Sequence, residues 1–459
     1  MMRPFPLAGN RLNFGSPSIT AQERVNCYIE QSTDSGDVTI FRSPGLDLFA
    51  TASGVVRGVF GINDSLIVAI GSNIYSYDNS GLATLVGYLT TITGRVDIAN
   101  NGAQTLLVDG TDQARLIDTV AATSIYVTLP CNADSCCFLD SYFIVNDSNT
   151  QQFFISGQYD GATWDVLDFA SSESNPDNLL RVFADHGQLM LFGAFTVEIW
   201  GNNGAQDFPF QRVATPTEWG LAAIWSVAKL DNAVAFLGRN RLGQAQVVMM
   251  TGYTVQKIST EDVDRIINDN LSYSSATAYS YMANGHSMYV LNVGGKTLMF
   301  DLLSNEWSTL KSYGIERHRG EIGTNYLERT VVSDYSNGKI YNVDDHVFDD
   351  DGDPSIVTIT GRHMTKNREL MILRELEIDM EHGVGLATGQ GSDPQMMISI
   401  SRDGGHNFSA VRNRAIGAVG EYQTRTRLNR LGQGRDFVFK ISISDPIPVS
   451  IIGAYVRAE

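Results

Sequence analysis

Ser401-Arg402-Asp403-Gly404-Gly405-His406-Asn407-Phe408 comes nearest, in residue type and spacing, to a recognisable chemical device. Ser401, Asp403, Gly405 and Phe408 fit the pattern S-x-D-x-G-x-x-(W/F). In such a hairpin the Asp carboxylate accepts turn backbone N–H groups, Gly permits the reversal and the aromatic ring packs beneath. The device is structural rather than catalytic. A second cluster, Asp349, Asp350, Asp351 and Asp353 around Gly352, has the composition of a calcium loop. It lacks the D-x-D-x-D-G spacing, so it reads as a solvated channel or partner loop. Arg412, Arg414, Arg425, Arg427, Arg430 and Arg435 fall within one short span and suit subunit contact or DNA phosphates. Cys131, Cys136 and Cys137 lack the paired CxxC spacing of a zinc site, and Cys27 stands alone. Reduced, buried thiols are expected. No nucleophile elbow, zincin, P-loop or dinucleotide motif occurs. Acidic pairs such as Glu375/Glu377 are too common in this chain to mark a glycosidase. The expectation is no catalytic residue, no metal and no cofactor.

The elements that carry these residues are strands. From Gly54 onward, short runs rich in Val, Ile, Thr, Tyr and Phe alternate with turns: Ser65–Ile70, Asn73–Tyr77, Gln188–Phe192, Thr297–Asp301. Gly71–Asp78, Gly294–Asp301 and Asn337–Asp344 repeat one submotif of Gly turn, strand and terminal Asp. Weak repeats at blade-like spacing mark a radial propeller, and about 290 residues at 40–50 per blade make six or seven blades. The best helix is Glu261 to Asn268, with Ser259 and Asp262 placed as a capping box, and a shorter one is expected after Pro176. The aromatic runs Phe192–Trp200 and Trp219–Trp225 read as core rather than a sugar platform. The fold class is therefore all-β. An N-terminal arm (1–53) precedes a divergent β-propeller-like domain (54–348), an acidic linker or loop (349–356) and a C-terminal β-sandwich (357–459).

Charge narrows the function. The chain has 459 residues and a formal net charge of −18. Residues 361–459 carry 13 Lys/Arg against 11 Asp/Glu, so the acidity lies in the rest. Gripping phosphates needs clustered cations, so such a body is a poor DNA grip; its acidity either keeps the protein soluble or lines a wall that surrounds DNA without holding it. No stretch approaches the ~20 apolar residues of a membrane span. Met1 to Ser16 has no apolar run of signal-peptide length, so a soluble product made in the cytoplasm is expected.

Two resemblances follow. Ser401–Phe408 is similar to the Asp box of sialidase propellers, in a single copy with Phe408 where Trp is usual. More broadly, Val25-Asn26-Cys27-Tyr28-Ile29-Glu30 with Arg42-Ser43-Pro44-Gly45-Leu46 resembles the opening of the packaged-DNA stabilisation family, the tail hubs or nozzles of short-tailed (podovirus) bacteriophages. Gly54–Val59, Asn175-Pro176-Asp177, Leu191-Phe192-Gly193, Glu198-Ile199-Trp200, Phe208-Pro209-Phe210, Ser401–Gly405, Arg427–Gly432 and Pro446–Arg457 continue the likeness in order. It implies a non-enzymatic virion tail protein, assembled in the host cytoplasm as a homohexameric ring. The ring's implied partners are the head-to-tail adaptor and portal ring, a tail needle, fibre or spike proteins, and packaged double-stranded DNA passing through the channel. It implies no membrane insertion. Loops such as Asp349–Asp353 or Asn202–Gln206 are then candidates for a gate or partner contact. The alternative is a tail-associated carbohydrate-binding or polysaccharide-degrading propeller.

Overall fold

A computed structural model describes residues 2–5, 7, 22–31, 38–118, 123–172, 176–206, 208–367 and 369–459. Strand makes up 58% and helix 3%, which leaves no helical layer. Antiparallel sheets at 56–88, 97–128, 136–171, 179–212, 220–257, 277–310 and 320–344 follow one another along the chain. They are seven blades. Neighbouring blades touch through their innermost strands, save that blade four meets blade five through Gln188–Gly193 and Gly220–Leu221, and Gly320–Tyr326 of blade seven reaches Val56–Ile62 of blade one, closing the circle. Blade five has a broken inner strand: Gly220–Leu221 and Ala228–Leu230 each pair with a different end of Ala233–Arg239.

The three repeated submotifs occupy equivalent places, the second turn and third strand of blades one, six and seven. Their terminal aspartates act alike. Asp78 accepts from Ser80 N (2.8 Å), Asp301 from Leu303 N (3.0 Å) and Asp344 from His346 N (2.8 Å). Side-chain capping of the next turn is why Asp recurs there. Gly338 is needed for a different reason: a Cβ there would lie 2.0 Å from the Ala52 carbonyl oxygen.

That approach belongs to the N-terminal arm, which lies against the body. Its described strands are β1 (Arg3–Phe5), β2 (Glu23–Val25), β3 (Cys27–Gln31), β4 (Val38–Arg42) and β5 (Gly45–Ala52). β5 pairs antiparallel with Gly338–Asp344 and supplies the fourth strand of blade seven. β3 and β4 join Ser450–Ala458, Met371–Met380 and Thr426–Gly434 in one sheet of the C-terminal sandwich, and β1 pairs with Ser450–Ala458. The facing sheet holds Val357–Thr360, Asp436–Ile443, Gln395–Ser401 and Arg412–Ala415. Between them lies a core that includes Ile29, Ile40, Leu376, Ile398, Phe437, Phe439 and Val456. β2 sits between Glu306–Leu310 of blade six and Val357–Thr360, so one sheet runs through both domains.

The helix Glu261–Asn268 is present, but its N-cap is Thr260, whose hydroxyl accepts from Val263 N. Ser259 instead donates to Asp264 (2.5 Å) and accepts from Val247 N (3.1 Å), tying the helix to blade five. No helix follows Pro176; Leu179–Asp185 is the inner strand of blade four, because its apolar side chains alternate into the core between blades.

Blade six contains a buried ionisable pair. His286 Nδ1 lies 2.8 Å from Asp301 Oδ2, and the Tyr28 ring of β3 packs 4.8 Å from the imidazole. The bond to Asp301 raises the histidine above its ordinary value, against the opposing effect of burial. A raised native pKa contributes stability below the unfolded value near 6.5, and that stability is lost as pH rises through the native value. The urea midpoint of the wild type should therefore fall between about pH 6 and pH 8, and His286→Gln should flatten that fall. An unchanged slope in the variant would refute the assignment.

Candidate functional site

The sequence motifs nearest the N-terminus meet where propeller and sandwich join. Asn26 adopts φ 55° between β2 and β3. Its Nδ2 donates to the carbonyls of Lys311 (2.8 Å) and Ile356 (3.1 Å), and its Oδ1 accepts from Lys311 N (2.8 Å). One amide thus links blade six to the start of the sandwich. Arg24, 2% exposed, pairs with Glu306 at 2.5 Å and donates to the Trp307 carbonyl. Arg42 donates to the carbonyls of Asp445 (2.6 Å), Ile447 (2.8 Å) and Ser355. Burial pulls its guanidinium down to about 10. Gly45 admits the acidic hairpin, since a Cβ would lie 2.4 Å from the Asp349 carbonyl oxygen.

That hairpin, Asp349–Asp350 and Asp353–Pro354, packs beside β5 rather than standing in solvent. Asp350 is 1% exposed and accepts from the Ser312 hydroxyl (2.8 Å). Asp349 accepts from Gly352 N (3.0 Å), Asp351 from Lys339 (2.5 Å) and Asp353 from Arg319 (2.6 Å). Each carboxylate already has a protein donor, and Asp350, Asp351 and Asp353 tie the hairpin to the propeller. The loop Asn202–Gln206, by contrast, is exposed along its length.

The turn at Ser401 has the expected bonding. Asp403 accepts from the Ser401 hydroxyl (2.6 Å), Asn407 N (2.9 Å) and Asn407 Nδ2 (2.7 Å), which hold its carboxyl well below the usual range. Gly405 N donates to Ser401 Oγ (2.8 Å). Phe408 differs from the expected buried ring: it is 37% exposed, opposite the buried Ser401.

Four of the six arginines bond within the sandwich. Arg425 and Arg427 pair with Glu377, at 2.6 and 3.2 Å, across adjacent strands. Arg414 donates to the Arg427 carbonyl (2.7 Å) and Arg412 to that of Asn429 (3.2 Å). Arg430 and Arg435 are exposed. All four cysteines are buried, and burial pushes their thiols up, Cys27 and Cys131 to about 12. They are poor nucleophiles.

Two features had no local signal. The outermost strands of blades one to three, with the residue leading into the first, expose large apolar side chains: Leu82 and Leu85, Ile125 and Tyr126, Val166 and Leu167. The outer strands of blades one and two touch. Second, the innermost strands surround an axial cavity of about 440 Å³. Trp225, expected in a core, lines it, with the guanidinium carbons of Arg181 and Arg95 at 4.8 and 5.2 Å from its ring. These three residues come from different blades or the turns beside them, so no sequence window contains them.

The family model described as "Bacteriophage P22 Gp10, beta-propeller" matches residues 25–348, and that described as "Bacteriophage P22 Gp10, beta-sandwich" matches 357–459. No curated protein matches. Among solved structures the chain matches BamB from Moraxella catarrhalis, at 13% identity and TM-score 0.42, covering 65% of this chain and 97% of that one. A chain of the Mitotic Checkpoint Complex follows at 11% and 0.43, covering 64% and 89%. The computationally designed Ika8 protein stands at 11% and 0.40, covering 71% and 100%.

Proposed function

This chain belongs to the bacteriophage P22 Gp10 family, and on that premise we propose that it is a hub, or nozzle, subunit of a short phage tail. In this reading copies of the chain form a ring, taken as six-fold, beneath the portal and adaptor. The ring extends the DNA channel, retains the packaged genome and guides its release. It also offers sites to a needle, fibres or spikes, for which the exposed loop Asn202–Gln206 is a candidate contact.

The observation that carries this reading is the contrast between axis and rim. A duplex about 20 Å wide needs a clear passage of that width. The axial cavity of about 440 Å³ is of small-molecule size and lined by side chains of all seven blades. In this reading the channel therefore lies between copies, and the apolar side chains on blades one to three supply a surface suited to burial there. The net charge of −18 favours a wall along which DNA slides.

Negative-stain microscopy of the chain mixed with its portal and adaptor should show a six-fold annulus with an opening of at least ~20 Å. The double variant Tyr126→Glu, Leu167→Glu should lose the annulus while keeping the wild-type circular dichroism. Discrete monomers or trimers from the wild type would overturn the reading, as would turnover of a bacterial polysaccharide.

A further inference from the structure

We propose that the axial cavity of the propeller binds a phosphate-class oxyanion, held by Arg95 and Arg181. Both guanidinium carbons lie over the Trp225 ring, 5.2 and 4.8 Å from its centroid. A guanidinium placed over a ring face still has N–H groups to offer an oxyanion. Those donors are underused. Among the described residues Arg95 makes no hydrogen bond and no ion pair, and Arg181 Nε is buried without a partner. Arg181 otherwise donates to the Ile224 carbonyl (2.9 Å) and stands 3.6 Å from Asp97.

The carboxylates nearby also have partners of their own. Asp97 accepts from Cys136 N (3.1 Å), Asp185 pairs with Lys229 (2.9 Å), and Glu321 accepts from the Thr277 hydroxyl (2.8 Å) and pairs with Arg317. Burial pulls Arg95 down to about 10, and the neighbouring Arg181 cation pulls the same way, against the opposing charges of Glu321 and Asp97. Two forks meet the several oxygens of a phosphate better than the two of a carboxylate. At about 440 Å³ the cavity is within the size range of small-molecule sites and admits inorganic phosphate or a phosphate monoester such as a mononucleotide.

Titration calorimetry on the full chain at fixed ionic strength, with chloride as the background anion, tests the site. The probes are inorganic phosphate and deoxyadenosine monophosphate. Saturable binding at one site per chain is expected, weakened at least tenfold by Arg95→Gln and unchanged by Arg362→Gln, an exposed arginine elsewhere. Tighter binding of the nucleotide identifies an ester as the source, and equal binding identifies free phosphate. Should Arg95→Gln lose the native circular dichroism, Arg95→Lys keeps the charge without the fork and should still weaken binding. No saturable heat from either probe, wild-type affinity in a folded Arg95 variant, or an equal loss in Arg362→Gln would each overturn the proposal.

Discussion

A chain that begins at residue 54 will not reach the native state. Without β5, blade seven loses its fourth strand and Gly338–Asp344 becomes an open edge. Without β2, the sheet shared by both domains is cut, and without β3 and β4 the sandwich core is uncovered on one side. Val25, Tyr28, Ile29, Ile40 and Leu46 are all at least nine-tenths buried. At about 1.5–3 kcal/mol for each such side chain, their loss removes on the order of 10 kcal/mol. That rivals the whole net stability of a typical protein, about 5–15 kcal/mol. Size-exclusion chromatography and urea unfolding of 54–459 against the full chain decide the matter. A monodisperse truncated protein with a cooperative transition at the wild-type midpoint would show that the first 53 residues are dispensable.

Arg42→Met should destabilise by about 3–5 kcal/mol, the largest single-residue effect expected at the junction. Methionine keeps much of the length and apolar contact but donates nothing. The carbonyls of Ser355, Asp445 and Ile447 would then be left without their common donor, at about 1–3 kcal/mol for each acceptor that water cannot reach. The nearby carboxylates of Asp349, Asp350 and Asp445 would also lose the cation that favours their charge. Arg42→Lys keeps the charge but not the fork, and should recover only part of the loss. The urea midpoint and slope give the value, and a change below about 1 kcal/mol would mean that the three bonds add little to stability.

What was legible in the sequence was local. Ser65–Ile70, Asn73–Tyr77 and Val357–Thr360 match the observed strands end to end, because alternation and flanking turns are short-range signals. The helix Glu261–Asn268 was equally plain from its apolar face. The pairing of the N-terminal strands was not legible. β2 meets Glu306–Leu310 and β5 meets Gly338–Asp344, and no window shows such partners. Asp350 looked like one of a solvated run because its bond partner, Ser312, is remote. Arg95, Arg181 and Trp225 converge only once the circle of blades has closed. Much of Asn175-Pro176-Asp177 was informative: Asp177 accepts from Phe195 N (2.7 Å) between strands of blade four, whereas Asn175 lies outside the described residues, as do 8–21.

The strap-like path of the first strands also sets a timetable. On the ribosome, β5 emerges long before Gly338–Asp344, its mate. At about 5–20 residues per second the wait is roughly 15–60 s. β1 waits longer still, for Ser450–Ala458. Throughout translation the nascent protein keeps unsatisfied edges, and neither module can seal until distant stretches have been synthesised. A prematurely terminated product therefore stays unsealed, which denies it the finished surfaces that virion assembly would recruit.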